Sequence, residues 1–145
     1  MGFGGESRHT VDAKGRVFIP AKLRAEIGST LILCVLYDRC IRAYRPTEWD
    51  ELENRFSSAL NSAMTASKAR LRREVFRYKE TVDLDSQGRI LLPDKLREKV
   101  GITENVAIIG VSAYLEIWDP ELLDSEEGFC NDENVIRSYE ELGIS

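Results

Sequence analysis

The sequence predicts an α+β chain: two copies of one small β unit, packed as a pseudo-twofold pair, with helices between and after them. Three observations predict it. Residues 12–30 return as residues 85–103. β-rich runs cluster after each copy, and a stretch with helical spacing separates the copies. At 145 residues the chain holds one ordinary domain or two very small ones sharing a core.

The repeat is dense. Nine of nineteen aligned positions are identical: Asp12/Asp85, Gly15/Gly88, Arg16/Arg89, Pro20/Pro93, Lys22/Lys95, Leu23/Leu96, Arg24/Arg97, Gly28/Gly101 and Thr30/Thr103. Apolar positions exchange like for like, as in Val17/Ile90 and Ile27/Val100. After a one-residue slip, "IRAYRP" (41–46) lies over "LEIWDP" (115–120). A unit of about 45 residues cannot bury enough surface alone, so the copies must share a core.

Each copy opens on a turn. Asp12 and Asp85 at the first turn position and Gly15 and Gly88 at the fourth suit a type I turn. The carboxylate can accept from turn amides, and glycine tolerates a positive φ. "RVFIP" and "RILLP" follow as short apolar strands. Pro20 and Pro93 end them, since proline donates nothing to a ladder, and each can start a helix. "AKLRAEIG" and "DKLREKVG" place Leu23/Ile27 and Leu96/Val100 at i, i+4, with glycine at the C-cap. "STLILCVLYDRCIRAY" and "ENVAIIGVSAYLEIW" then read as hairpins.

Between the copies, Trp49, Leu52, Phe56, Leu60 and Met64 step at three or four, an apolar helical stripe. "SKARLRREVFRYK" follows, with Leu71, Val75 and Tyr78 on one side. Its six bases against Glu74 and Glu80 suit a solvated face, an anionic ligand or a neighbouring subunit's acids. The expected divisions are 3–50, a first β domain; 51–79, a helical connector; 80–123, a second β domain; and 124–145, an acidic tail.

The formal net charge of −5 is unevenly spread. Residues 116–145 hold ten acids and one base, Arg137, a net −9 that leaves the first 115 residues at +4. An anion can therefore dock on the body despite the acidic total.

Chemistry for an enzyme is scarce. His9 is the single histidine, which suits a surface or turn position better than a catalytic one. No phosphate loop and no G-x-G-x-x-G is present, and "GFGG" (2–5) reads as a flexible start. Cys34, Cys40 and Cys130 have no metal spacing and read as free thiols, Cys34 in a core strand. No cofactor, metal or small-molecule substrate is expected. No run approaches the roughly 18 apolar residues of a membrane helix. The start lacks a signal peptide's apolar core, and Glu6 breaks the myristoylation pattern, so a soluble cytoplasmic protein is expected.

What the sequence repeats is Asp-x-x-x-Arg. Arg16 can pair with a carboxylate and hold the hairpin, or reach with Lys14 toward phosphates and base edges; both can hold together. Arginine's planar fork suits guanine and phosphate. Gln87 stands where Lys14 does in the first copy, so the two turns should be unequal. The candidate contacts are Lys14, Arg16, Arg89, Gln87, Arg8, Lys22, Arg24, Lys95 and Arg97, with Asp12, Gly15, Asp85 and Gly88 ordering the turns. Useful affinity takes roughly six or more phosphate contacts, so one chain binds weakly and oligomerisation is expected.

"DAKGRVFIPAKLR", "DSQGRILLPDKLR", "RCIRAYRPTEW" and "LEIWDP" together resemble the MraZ family over about residues 3–123. That family consists of bacterial proteins with two SpoVT/AbrB-like domains, each bearing Asp-x-x-x-Arg. The resemblance implies tandem swapped-hairpin β units and a closed homo-oligomeric ring. It also implies a nucleoid-associated transcriptional regulator binding repeated short G-rich boxes in double-stranded DNA, upstream of the division and cell-wall gene cluster. By motif match Lys14 and Arg16 take the DNA-contact role, and Arg89 takes it in the second copy. The alternatives are an interaction ring whose acidic tail engages a basic partner and an antitoxin-type AbrB regulator. The tail itself suits a solvated or disordered end, a neighbour's basic helix, or a screen against nonspecific DNA.

Overall fold

The computed structural model describes residues 2–36, 39–60, 65–128 and 132–144. Met64, Cys130 and the side chain of Leu60 lie outside the described residues. The first copy runs β1 (Glu6–Thr10), β2 (Arg16–Phe18), α1 (Ala21–Ile27), β3 (Thr30–Cys34) and β4 (Ile41–Tyr44). Two helices follow, α2 (Pro46–Leu60) and α3 (Ala66–Arg77). The second copy runs β5 (Glu80–Asp83), β6 (Arg89–Leu91), α4 (Asp94–Val100), β7 (Asn105–Val111) and β8 (Tyr114–Trp118), followed by α5 (Pro120–Gly128) and α6 (Asp132–Glu141). The chain is thus α+β, with a mostly antiparallel sheet and six helices among the described residues.

Pro20 and Pro93 occupy the N-cap positions of α1 and α4, at φ −50° and −58°. Gly28 and Gly101 end the same helices at φ +82° and +73°, where a side chain would be strained. Seven-residue helices are not self-sustaining. Leu23 and Ile27, and Leu96 and Val100, bury one face of each against the sheet.

The strand pairing crosses between copies. A six-stranded sheet has the order β1-β7-β8-β4-β3-β5, and a separate ribbon pairs β2 with β6. Exchanging the two copies leaves both orders unchanged. The registers agree: Val17 faces its own repeat equivalent Ile90, and Arg42 faces its equivalent Glu116. A pseudo-twofold relation passes through both pairs.

The sheet's alternation separates two layers. Leu31, Leu33, Ile41, Ala43, Val106, Ile108, Leu115 and Ile117 face one way and join Val17, Ile19, Ile90 and Leu92 of the ribbon in the main core. The other face is covered in halves. Ile32, Cys34 and Tyr44 pack with Trp49 of α2 and Val75 of α3. Cys40, Ala107 and Trp118 pack with Leu123 of α5. The expected helical stripe is thus real at Trp49, with Leu52 and Phe56 partly buried.

Two expectations need correction. "GFGG" is not a loose start: Phe3 is buried and exchanges backbone hydrogen bonds with Ser112 at 2.8 and 2.9 Å. Gly110 makes this possible, because a Cβ there would lie 2.4 Å from the Gly4 nitrogen. Leu71 does not share the covered face of Val75 and Tyr78; it is 40% exposed. His9 lies partly buried in β1, an edge strand, with Nε2 2.9 Å from the Ser7 hydroxyl.

Candidate nucleic-acid interface

The two turns are built alike. The Gly15 N–H donates to the Asp12 carbonyl at 3.0 Å, closing the expected turn, with Gly15 at φ +85°. Asp12 Oδ1 accepts from the Lys14 and Arg16 amides, both at 2.9 Å, and Oδ2 accepts from Arg16 Nε at 2.9 Å. Asp85 does the same for the Gln87 and Arg89 amides at 2.9 Å and for Arg89 Nε at 2.8 Å. Each turn is also tied to the other copy. The Ile19 N–H donates to the Gly88 carbonyl and the Leu92 N–H to the Gly15 carbonyl, both at 2.9 Å.

These bonds favour the ionised carboxylates. The amides of Arg16 and Arg89, above all, hold Asp12 and Asp85 below the ordinary value of 3.8; desolvation opposes this and the arginine side chains add to it. A carboxyl lowered by folding stabilises the turn above its unfolded value and stops doing so as pH falls through its folded one. A carboxyl-detected NMR titration should therefore give midpoints below 3.8 for both, with the Lys14, Arg16, Gln87 and Arg89 amides shifting at the same pH. Midpoints at or above 3.8 would contradict this account of the turns.

Strand alternation sets the exposed face of the ribbon. Val17 and Ile90 point into the core, so Arg16, Phe18, Arg89 and Leu91 share the outer face. Phe18 and Leu91, repeat equivalents, are 47% and 49% exposed. The Arg89 guanidinium lies 5.7 Å from the Phe18 ring centroid. The arginines are unequal. Arg89's side chain is 18% exposed, and its Nη1 also approaches Asp12 at 3.9 Å. Arg16's is 31% exposed and commits Nε to Asp12, so its Nη edge has no hydrogen-bond partner among the described residues. Holding the turn and presenting a guanidinium edge are therefore compatible. Lys14 and Gln87 are exposed at the two turn tips.

Arg24 and Arg97 lie across the turns instead of projecting freely. Arg24 Nη1 donates to the Gln87 carbonyl at 3.3 Å, and its side chain fills the space where a Cβ on Gly88 would stand. Arg97 donates from Nε to the Leu92 carbonyl at 2.9 Å, pairs with Asp94, and crosses over Gly15. Each turn is thus backed by an arginine of the other copy. The remaining candidates are dispersed. Arg8 is exposed on β1, 3.8 Å from both Glu6 and Asp124. Lys95 is 3.8 Å from Glu80, and exposed Lys22 lies beside Gly5.

Sequence reading passed over Phe18 and Leu91 by treating "RVFIP" and "RILLP" as uniformly apolar. The signal was present: residues two apart on a strand share a face, so Phe18 goes with Arg16 and Leu91 with Arg89. Among the described residues no group of three potential ligands could hold a metal, and no helix is long and apolar enough to cross a membrane.

The family described as "MraZ protein, putative antitoxin-like" matches residues 2–73 and 75–125. The chain belongs to the MraZ family. It is 42% identical to the transcriptional regulator MraZ of Acetivibrio thermocellus, over 98% of this chain and 99% of that protein. It is 40% identical to the transcriptional regulator MraZ of Alkaliphilus oremlandii over the same shares. For that of Caldicellulosiruptor bescii the identity is 36%, over 97% and 98%. These MraZ relatives carry the name of regulators and not of enzymes. Alignment to nearly their full length also brings the acidic C-terminal segment within the match.

Proposed function

We propose that the chain is a transcription regulator that binds double-stranded DNA sequence-specifically, as a closed homo-oligomeric ring, through its Asp-x-x-x-Arg turns. As a member of a family of transcriptional regulators it is no enzyme. The observation that carries the reading is Arg16: fixed through Nε by Asp12, with its Nη edge open on an exposed face. A guanidinium held in that way is pre-organised for the bidentate geometry of guanine O6 and N7 or of a phosphate. Lys14 adds a mobile charge, Arg89 a weaker second contact and Gln87 a neutral hydrogen-bonding group. Arg8, Lys22, Arg24, Lys95 and Arg97 supply the surrounding positive charge.

The exchange of strands between copies, β1 with β7 and β5 with β3, supports tandem SpoVT/AbrB-like swapped hairpins. The β domains would be 3–50 and 80–123, joined by the 51–79 connector and followed by the 124–145 tail. Repeated short boxes upstream of the division and cell-wall gene cluster are the proposed target, which puts the protein on the nucleoid in the cytoplasm. A ring suits repeated boxes, because several weak turns held together bind far more tightly than one.

A gel-shift titration of the purified protein on its own upstream DNA, at two salt concentrations, tests this. The expected result is a preference over a scrambled duplex and an affinity that falls steeply with salt, by about 0.9 decade per decade of salt for each phosphate neutralised. Equal affinity for both duplexes would remove sequence specificity from the reading.

A further inference from the structure

Both copies break the same rule at the same place. On an antiparallel ribbon with one face in the core, outward positions ordinarily carry polar side chains. Phe18 and its repeat equivalent Leu91 point outward instead and stand half-exposed. Among the described residues they are the two large hydrophobic side chains that strands leave exposed; the others belong to helices or to the C-terminal end. Their surroundings are basic. Leu91 lies directly across from Arg16 and Phe18 from Arg89, so cations and hydrocarbon alternate in both directions over this face. Lys14 and Gln87 are exposed at the turn tips beside it.

An apolar pair in a basic frame suits a partner that is anionic and yet presents small apolar groups. The major groove of duplex DNA does both. Phosphates flank it, and each thymine places a C5-methyl beside the base edges that arginine reads. The groove also admits a two-stranded β ribbon. The spacings agree. Residues two apart on a strand are about 6.6 Å apart, close to two base steps of about 3.4 Å. Directly opposed Cβ atoms are about 5 Å apart, between one and two steps. A second copy of the same face is a poorer partner, since Arg16, Arg89 and Lys14 would meet their own counterparts.

We propose that Phe18 and Leu91 read thymine, each covering a C5-methyl one or two base steps from the guanine or phosphate held by the neighbouring arginine. The inference rests on the proposed DNA binding and names what the apolar positions add to it. Phe18 also supports the Arg89 guanidinium, which lies 5.7 Å from its ring centroid. A ring that only props Arg89 is indifferent to the methyl group of thymine, whereas a ring that covers the methyl is not. That difference separates the two roles.

The test uses the protein's own upstream DNA and a scrambled duplex, each prepared once with thymine and once with uracil, which lacks only the C5-methyl. In anisotropy titrations at one salt concentration, the parent should lose about 4-fold in affinity for its own DNA per methyl covered, the factor for burying one methyl-sized group. The scrambled duplex should show no such loss. Phe18→Ala/Leu91→Ala should bind the thymine duplex about as weakly as the parent binds the uracil one, and should lose nothing further on uracil. Both side chains are half-exposed, so the variant's urea midpoint and light-scattering mass should match the parent's. A parent that prefers its own DNA but shows no uracil penalty beyond that of the scrambled duplex overturns the methyl contact and leaves DNA binding standing; that comparison needs no variant. A variant weaker than the parent that keeps the parent's thymine-to-uracil ratio reduces Phe18 to a prop for Arg89 and overturns the proposal. A fall in the variant's mass overturns it in favour of a subunit contact. A parent with no preference for its own DNA removes the underlying reading and this one together.

Discussion

Arg16→Ala is expected to remove most operator binding at matched salt while leaving the assembly's mass unchanged. Each bidentate guanine contact discriminates by about 1–3 kcal/mol, or roughly 5- to 150-fold, and the proposed ring would multiply the loss over every subunit engaged. The cost to folding is small, because the Asp12–Arg16 pair is partly exposed and solvent screens it. The Lys14 and Arg16 amides still satisfy Asp12 Oδ1 after truncation, so the turn keeps its shape. Arg16→Lys separates charge from geometry: it keeps a cation but not the planar fork. It should keep part of the nonspecific, salt-dependent affinity and lose most of the preference over scrambled DNA. Fluorescence anisotropy on both duplexes at two salt concentrations reads all of this. Should Arg16→Ala bind its upstream DNA as the parent does, the Asp12–Arg16 pair is a structural staple and the proposed contact is wrong. Arg89→Ala should cost less, since Arg89 is more enclosed and shares Asp12 as a second partner.

Ile90→Ala should destabilise the whole chain by about 2–5 kcal/mol, the usual cost of removing that volume from a packed core. Ile90 is 1% exposed and faces Val17 across the ribbon, at the pseudo-twofold relation itself. Its loss leaves a void in contact with both copies. With β1 on β7 and β5 on β3, neither copy has a complete sheet or core of its own. Urea denaturation at fixed protein concentration should therefore show one transition, moved to lower urea with its slope unchanged. Two separate transitions, or a loss confined to one copy's signals, would contradict a shared core.

Much of the local structure was legible because it depends on neighbours in sequence. Asp12 with Gly15, and Asp85 with Gly88, specify the same turn wherever they occur, since the carboxylate binds its own downstream amides. Pro20 and Gly28 mark the ends of α1 for equally local reasons. The candidate site was half legible. The motif pointed to Arg16 and Arg89, but Phe18 and Leu91 emerge as surface residues only once the ribbon's inner face is known. Arg24 and Arg97 looked like further free bases because the turns they cross belong to the other copy, more than sixty residues away in sequence.

By itself the sequence determined the repeat, the turn chemistry, the helix ends and the placing of positive and negative charge along the chain. Each follows from backbone preferences and short-range hydrogen bonds. The tertiary structure alone decided which strands exchange between copies, that Phe3 closes the sheet against Ser112, and that Leu71, Phe18 and Leu91 remain uncovered. Those outcomes depend on which distant surfaces bury each other. A periodic pattern states that a face is apolar, but the partner that covers it is chosen by the packing of the whole fold.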